Sequence, residues 1–380
     1  MMHTIDIRPA KAGIYLDHNA STPLALKVRH VMHDVLEADY GNPSSGHWAS
    51  IKAKDALEDA RDRVAAFLGC ASDEIYFTSG GTEANNMALK GIWFHPDRKG
   101  DHIITSPVEH DAIRAPIQFL KRQGAKVTVL PVDNFGRVDP EAVERAIRPE
   151  TVLITVMHAN NETGTVQPIS EIARIAHANG VTFHTDAAQS AGKIETKVGV
   201  LGVDMLSLVG HKMYGPKGVG ALYVRRGTKL APHNHGGGHE SGQRAGTESA
   251  LLTSGLAAAC DVANHHHYQT VGTLRDQFWA LLKQAFGDIV HRNGSVEHCV
   301  PNTLNVSFEN QVGADILAAL GNVAAATGSA CHAGCVDMSA VLVAMRTPMH
   351  VGMGAIRFSL GHQNTLEEMS DVVERLKAIL

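Results

Sequence analysis

Lys212 stands in the run SLVGHKMYGPKG (207–218), where an apolar stretch breaks into a glycine-bracketed turn holding one His-Lys pair. Four other stretches end in residues able to work beside such a lysine. FTSGGTEANN (77–86) offers Gly81 and Thr82 at a helix start, where free N–H groups and a hydroxyl suit an anion, although a threonine there also serves as an ordinary helix cap. VTFHTD (181–186) ends in Asp186, a carboxylate that either caps the succeeding turn of helix or pairs with a buried cation, and AAQS continues it to Gln189. MHANNETG (157–164) places Asn161 in a polar turn. SPVEH (106–110) ends in His110, which suits a surface position as well as a ring-stacking one. Each is bland alone. Together they supply a lysine, a carboxylate, a histidine face, amide donors and a phosphate cradle. Those are the needs of pyridoxal phosphate: a lysine for the Schiff base, a carboxylate that keeps the pyridine nitrogen protonated, and donors for the phosphate.

The elements that would bring them together are legible as an alternation. Short strand-like runs occur at 74–79, 102–106, 126–131, 151–158, 181–186, 204–209 and 220–225. Helical patterns fall between several of them, as at 141–148 and 169–180, the latter closed by Gly180 as its C′ residue. Such alternation predicts the α/β class, with a mainly parallel seven-stranded sheet flanked by helices. Ligands of these sheets sit at the carboxyl ends of the strands, where all of these residues fall. Beyond 225 the pattern changes to helices at 245–264 and 271–287, a strand at 303–308, a helix at 314–321, a strand at 355–360 and a closing helix at 365–379. That predicts a smaller α+β domain. The expected organisation is a segment 1–20 packing on the domains, a large domain 21–260 and a small domain 261–380.

Composition sets bounds on function. The 380 residues are 44% hydrophobic and 19% charged with a formal net charge of −5, which gives no basic surface for nucleic acid. Neither a signal-peptide core nor a stretch long enough to span a bilayer is present, so a cytoplasmic location is expected. Five cysteines, an odd and mostly dispersed set, argue against a disulfide framework and for a reactive thiol. His265-His266-His267 lacks supporting carboxylates or cysteines, so no metal site is expected.

Nearly the whole chain resembles the fold-type I, class V aminotransferase group, and within it the cysteine desulfurases and selenocysteine lyases. The resemblance rests on YLDHNASTP (15–23), GNPSSGH (41–47), FTSGGTEANN (77–86), MHANNETGTVQPI (157–169), HTDAAQS (184–190), GHKMYGPKGVGALYVRRG (210–227), GGGHESGQRAGT (236–247), GSACHAG (328–334) and AIRFSLG (355–361). It implies that Lys212 carries the cofactor covalently, Asp186 pairs with the ring nitrogen, Gln189 bonds the ring hydroxyl and His110 stacks on the ring. It further implies that Gly81, Thr82 and His211 hold the phosphate, with Thr247 reaching it from the neighbouring subunit of a homodimer. Asn161 and Arg357 would bind the substrate carboxylate.

Cys331, in the small polar loop ATGSACHAGC (326–335), is by resemblance the nucleophile that takes sulfur from L-cysteine and passes it to an acceptor protein or thiol. Two departures matter. Val209 stands where the housekeeping desulfurases usually carry a phosphate-binding serine, and His332 follows Cys331, as a histidine does in selenocysteine lyases. Both favour L-selenocysteine as an alternative substrate. A class V transaminase that does not use Cys331 and a catalytically silent scaffold are the remaining readings. Cys335 is either a second, persulfide-accepting thiol or a passive loop residue.

Overall fold

The computed structural model describes residues 13–380 apart from 39, 264–267, 329–330 and 333–334; the side chains of Cys331, His332, Cys335 and Val336 also lie outside the description. The His265–His267 cluster is therefore outside it.

Seven strands form the main sheet: β1 (Ile75–Thr78), β2 (His102–Thr105), β3 (Lys126–Val129), β4 (Thr151–Thr155), β5 (Thr182–Asp186), β6 (Met205–Val209) and β7 (Gly220–Val224), in the order β1-β7-β6-β5-β4-β2-β3. Neighbours from β6 to β3 run parallel, whereas β7 is antiparallel to both β6 and β1. The central strands β6 and β7 are buried along their whole length, which is why they read as continuous apolar runs. The edge strand β3 is exposed at both its ends.

Helices α1 (Leu26–Ala38), α2 (Ile51–Leu68), α3 (Gly81–Phe94), α4 (Asp111–Arg122), α5 (Pro140–Ala146), α6 (Ile169–Ala178) and α7 (Ala250–Val262) surround this sheet. Helix α2 buries Leu57, Ala60, Val64 and Leu68, a stripe three or four residues apart, and ends where Gly69 turns left-handed at φ 71°. Gly180 closes α6 in the same way, at φ 66°. One face of the sheet packs Ile104, Ile154, Phe183 and Leu206 against α2 and α6; the other packs Ile103, Leu153 and Met205 against α3 and α4. Helices therefore cover both faces, and the carboxyl ends of the parallel strands remain for a site.

A second core gathers the C-terminal elements α8 (Tyr268–Phe286), β8 (Val290–Asn293), β9 (Thr303–Phe308), α9 (Gly313–Leu320), β10 (Ala355–Ser359) and α10 (Leu366–Ile379). Strands β8, β9 and β10 form an antiparallel sheet with β9 central. Ile14 and Leu16 from the N-terminal segment enter this core, and Ile14–Tyr15 pairs in parallel with Val323–Ala324. Ala326 is bonded on both sides to Arg357 of β10, its N–H donating to the Arg357 carbonyl at 3.2 Å and its carbonyl accepting from the Arg357 N–H at 2.7 Å. Among the described residues no helix is long and apolar enough to cross a membrane.

Three expectations need correction. The stretch 245–249 is not helical; α7 begins at Ala250, after Ser249 accepts from the Leu252 N–H as its cap. Cys331–His332 is not simple loop, because it pairs antiparallel with Cys335–Val336. Thr82 is not a helix cap: Gly80, at φ 146°, precedes α3, and Thr82 lies inside it.

Candidate active site

A cavity of about 90 Å³ opens at the carboxyl edge of the main sheet, and its wall includes Gly81, Thr82, His110, Asn161, Asp186, Gln189, His211 and Lys212. Five separate strand ends contribute to it, so the sheet brings together residues more than a hundred positions apart.

Lys212 closes a single-turn helix, Gly210–Lys212, that follows β6. Thr22 brackets the turn: its hydroxyl donates to the His211 carbonyl at 2.9 Å and accepts from the Tyr214 N–H at 2.8 Å. Tyr214 sits in the left-handed region at φ 62°, a strained position stabilised by burial of its ring. Burial holds the Lys212 pKa below an ordinary lysine's; Asp186 opposes the shift and Arg357 adds to it. An amine so placed is easily deprotonated, as a nucleophile or proton carrier requires.

Asp186, at the end of β5, is 5% exposed. Its Oδ2 accepts from Asn85 Nδ2 at 2.7 Å and its Oδ1 from the Ala188 N–H at 2.9 Å, so it is both turn former and buried carboxylate facing the cavity. Below it on the same face of β5, His184 bridges Thr155 on β4 and Ser207 on β6 at 2.9 and 3.0 Å. Burial pushes the His184 pKa down to about 4, so the ring is neutral.

His110 caps α4, its Nδ1 accepting from the Ala112 N–H at 3.1 Å, which leaves the proton on Nε2. Burial, with Lys212 adding, keeps its pKa below the usual value, so it presents an uncharged ring to the cavity. The adjacent Glu109 is buried; its Oε1 accepts from Ser106 Oγ at 2.6 Å and from the Met157 N–H at 2.9 Å, tying the loops after β2 and β4 together. His211 is likewise held neutral, its pKa pushed down to about 4 by burial and by Lys212. Gly81 packs under β6: a Cβ there would lie 2.6 Å from Val209 Cγ2.

Arg357 stands beside the cavity rather than in its wall. Its guanidinium donates to Asp17 Oδ1 at 2.6 Å and to the Asn161 carbonyl at 2.9 Å, while Nε is buried without a partner. Thr247 is exposed and is not among the residues that line the cavity of its own chain. The Cys331 side chain lies outside the described residues, but the segment that bears it starts at Ala326, bonded to Arg357.

The donor set fits pyridoxal phosphate. A buried carboxylate, a neutral flat ring, a desolvated lysine and free N–H groups at the start of α3 converge on one cavity, and Asn85 Oδ1 and Arg357 Nε are buried without partners. Reading the sequence did not single out Asn85, Asp17 or Lys193. Asn85 carries a signal that could have found it, being a polar residue on the buried side of α3 one turn beyond Gly81.

Residues 14–372 match the family described as Aminotransferase class-V. The cysteine desulfurase IscS of Dictyoglomus turgidum is 45% identical to this chain over 374 residues, 96% of this chain and 95% of that protein. Among solved structures, a NifS-like protein superposes with a TM-score of 0.90 at 35% identity, covering 97% of this chain and 99% of that one. SspA in complex with cysteine superposes with a TM-score of 0.83 at 37% identity, covering 93% and 100%.

Proposed function

The chain belongs to the class-V aminotransferase family, and from that premise we propose that it is a pyridoxal-phosphate-dependent cysteine desulfurase, converting L-cysteine to L-alanine with transfer of the sulfur to Cys331. The observation that carries this reading is the convergence of Lys212, Asp186, His110 and Gln189 on one cavity with Arg357 beside it. A neighbour of the same fold bearing cysteine supports the substrate.

When bound, pyridoxal phosphate supplies an aldehyde for the substrate amine and a protonated ring that draws electron density from Cα and Cβ. Lys212 would carry it, Gly81, Thr82 and His211 would hold its phosphate, and His110 would cover its ring. Asp186 would pair with its ring nitrogen and favour the protonated form there. Arg357, steadied by Asp17 and the Asn161 carbonyl, binds the substrate carboxylate and so fixes which bond at Cα faces Lys212. Lys212, as a neutral amine, takes the Cα proton and returns it later. The Cys331 thiolate forms a bond to the substrate sulfur as the carbon–sulfur bond breaks; the bonding pair stays on carbon, which is protonated to give the methyl group of alanine. An acceptor thiol then takes the sulfur from Cys331.

The reading includes a homodimer with shared sites and a cytoplasmic location. Tyr40, Trp48 and Ile51 are 79%, 77% and 57% exposed, and Val35, Ala53 and Ala250 pack together beneath this region. Large exposed apolar side chains of this kind suit a partner subunit, whose site Thr247 would complete.

The test is turnover of L-cysteine and L-selenocysteine by wild type and Cys331→Ala, scoring alanine with sulfide or selenide. Cysteine turnover lost in Cys331→Ala is the expected result. Turnover of selenocysteine alone establishes a lyase, in which Val209 and His332 are the informative residues. Turnover unchanged in Cys331→Ala returns the transaminase or β-eliminating reading.

A further inference from the structure

Lys193 has no task in the proposed mechanism, yet it is 2% exposed and lies four residues beyond Gln189, in the turns that follow β5. Burying a lysine is costly unless its polar head is satisfied. The Lys193 Nζ donates to Gln189 Oε1 at 3.1 Å and to Asn19 Oδ1 at 3.3 Å, both neutral amide oxygens. Burial pushes its pKa well down, and Lys212 and Arg357 add to the push. Charged or neutral, an amine keeps N–H donors, so the contact to Gln189 survives in either state.

That contact and a second one, to the Asn19 backbone carbonyl, together decide which side of Gln189 faces the cavity. The Gln189 oxygen is occupied by Lys193, and one Nε2 hydrogen is occupied by the Asn19 carbonyl at 2.9 Å. What the amide has left to offer is its second N–H. Deprived of Lys193, the amide is held only by the Asn19 carbonyl, and turning over at the expense of that one bond would present its oxygen instead, converting a donor into an acceptor at the same place. Asn19 is itself fixed: Asn302 Nδ2 donates to its Oδ1 at 3.0 Å, and its own Nδ2 donates to Thr303 Oγ1 at 2.8 Å and to the Asn161 carbonyl at 3.2 Å. The Asn161 carbonyl is the one that also accepts from Arg357. One buried network therefore spans the ring side and the carboxylate side of the cavity.

We propose that Lys193 is a positioning residue that locks the Gln189 amide with its N–H toward the ring hydroxyl oxygen of the cofactor. The inference rests on the pyridoxal phosphate reading. An N–H donor there stabilises that oxygen as an anion, whereas a carbonyl oxygen would repel it.

The experiment uses the full-length protein stripped of cofactor and titrated with pyridoxal phosphate, with the dissociation constant and the visible absorption maximum of the refilled protein as readouts. Wild type, Lys193→Met, Gln189→Ala and the double variant form a cycle. Each single change is expected to weaken binding about tenfold and shift the maximum, and the double variant to bind no more weakly than Gln189→Ala. Losses that multiply in the double variant, or a Lys193→Met protein indistinguishable from wild type, overturn the proposal. Should Lys193→Met fail to fold, Lys193→Gln replaces it: an N–H donor there is expected to keep the wild-type maximum and affinity, and a tenfold loss overturns the proposal. A wild-type protein that binds no pyridoxal phosphate defeats the functional reading itself, which the cycle distinguishes from failure of the positioning role.

Discussion

Asp186 uses both of its oxygens inside the protein, Oδ2 toward Asn85 and Oδ1 toward the Ala188 N–H. A carboxylate held this firmly is oriented before any ligand arrives. Asp186→Asn retains the shape and removes the charge that would hold a proton on the ring nitrogen, so it should still take up cofactor while turnover falls by about 100-fold or more. Absorption spectra and alanine release measured on one preparation separate the two effects. Glu109 makes a different prediction. Burial, with Asp186 adding, pushes its carboxyl up to about 8 from the ordinary 4.5. The folded chain therefore keeps this proton where the unfolded chain has lost it, so the contribution to stability is complete below about 4.5 and disappears as pH rises through about 8. Glu109→Gln retains an acceptor for Ser106 and Met157 but cannot ionise. Melting temperatures of the two proteins should diverge between pH 5 and pH 8, wild type falling relative to the variant, and parallel curves would refute the shift.

At the scale of elements, the site depends on how closely β6 and the start of α3 approach. A methyl group on Gly81 would meet Val209 Cγ2 at 2.6 Å, so Gly81→Ala must push the α3 N-terminus away from the proposed phosphate position. We expect about a tenfold loss of pyridoxal phosphate affinity, largely recovered in the Gly81→Ala, Val209→Ala double variant, where the obstructing methyl is gone. A double variant no better than Gly81→Ala would place the defect elsewhere. The same junction shows what a sequence can and cannot reveal. The seven strands were readable because short β-branched runs bounded by turn residues have few alternatives, and residues at their carboxyl ends were therefore readable as a site. The direction of β7 was not, since alternation looks the same read either way along a strand. Helix α2, crowded with Lys, Asp, Glu and Arg, hides its buried stripe, and β8, VHRN, is too short and polar to stand out. Lys193 was invisible for a simpler reason: its partner Asn19 is 174 residues away.

At the scale of the whole molecule, Thr247 is exposed in its own chain, and the proposed homodimer assigns it to the neighbour's site. Lys212→Ala and Thr247→Arg should each be inactive alone. Unfolded, mixed and refolded together, they should recover roughly a quarter of wild-type activity, because random pairing puts half the chains in mixed dimers and each mixed dimer holds one intact site. No recovery on mixing, with dimers confirmed by sedimentation, would mean that each chain completes its own site. The bonding of Ala326 to Arg357 carries a last consequence. Ala326, whose backbone pairs with that of the arginine proposed to bind the substrate carboxylate, stands five residues before Cys331. Five residues of fully extended chain span at most about 17 Å. On the proposed reaction, sulfur carried by Cys331 would have a delivery radius rather than a route, and a recipient would have to bring its own thiol inside that radius, on an extended arm or a projecting loop, whatever the strength with which the rest of it binds.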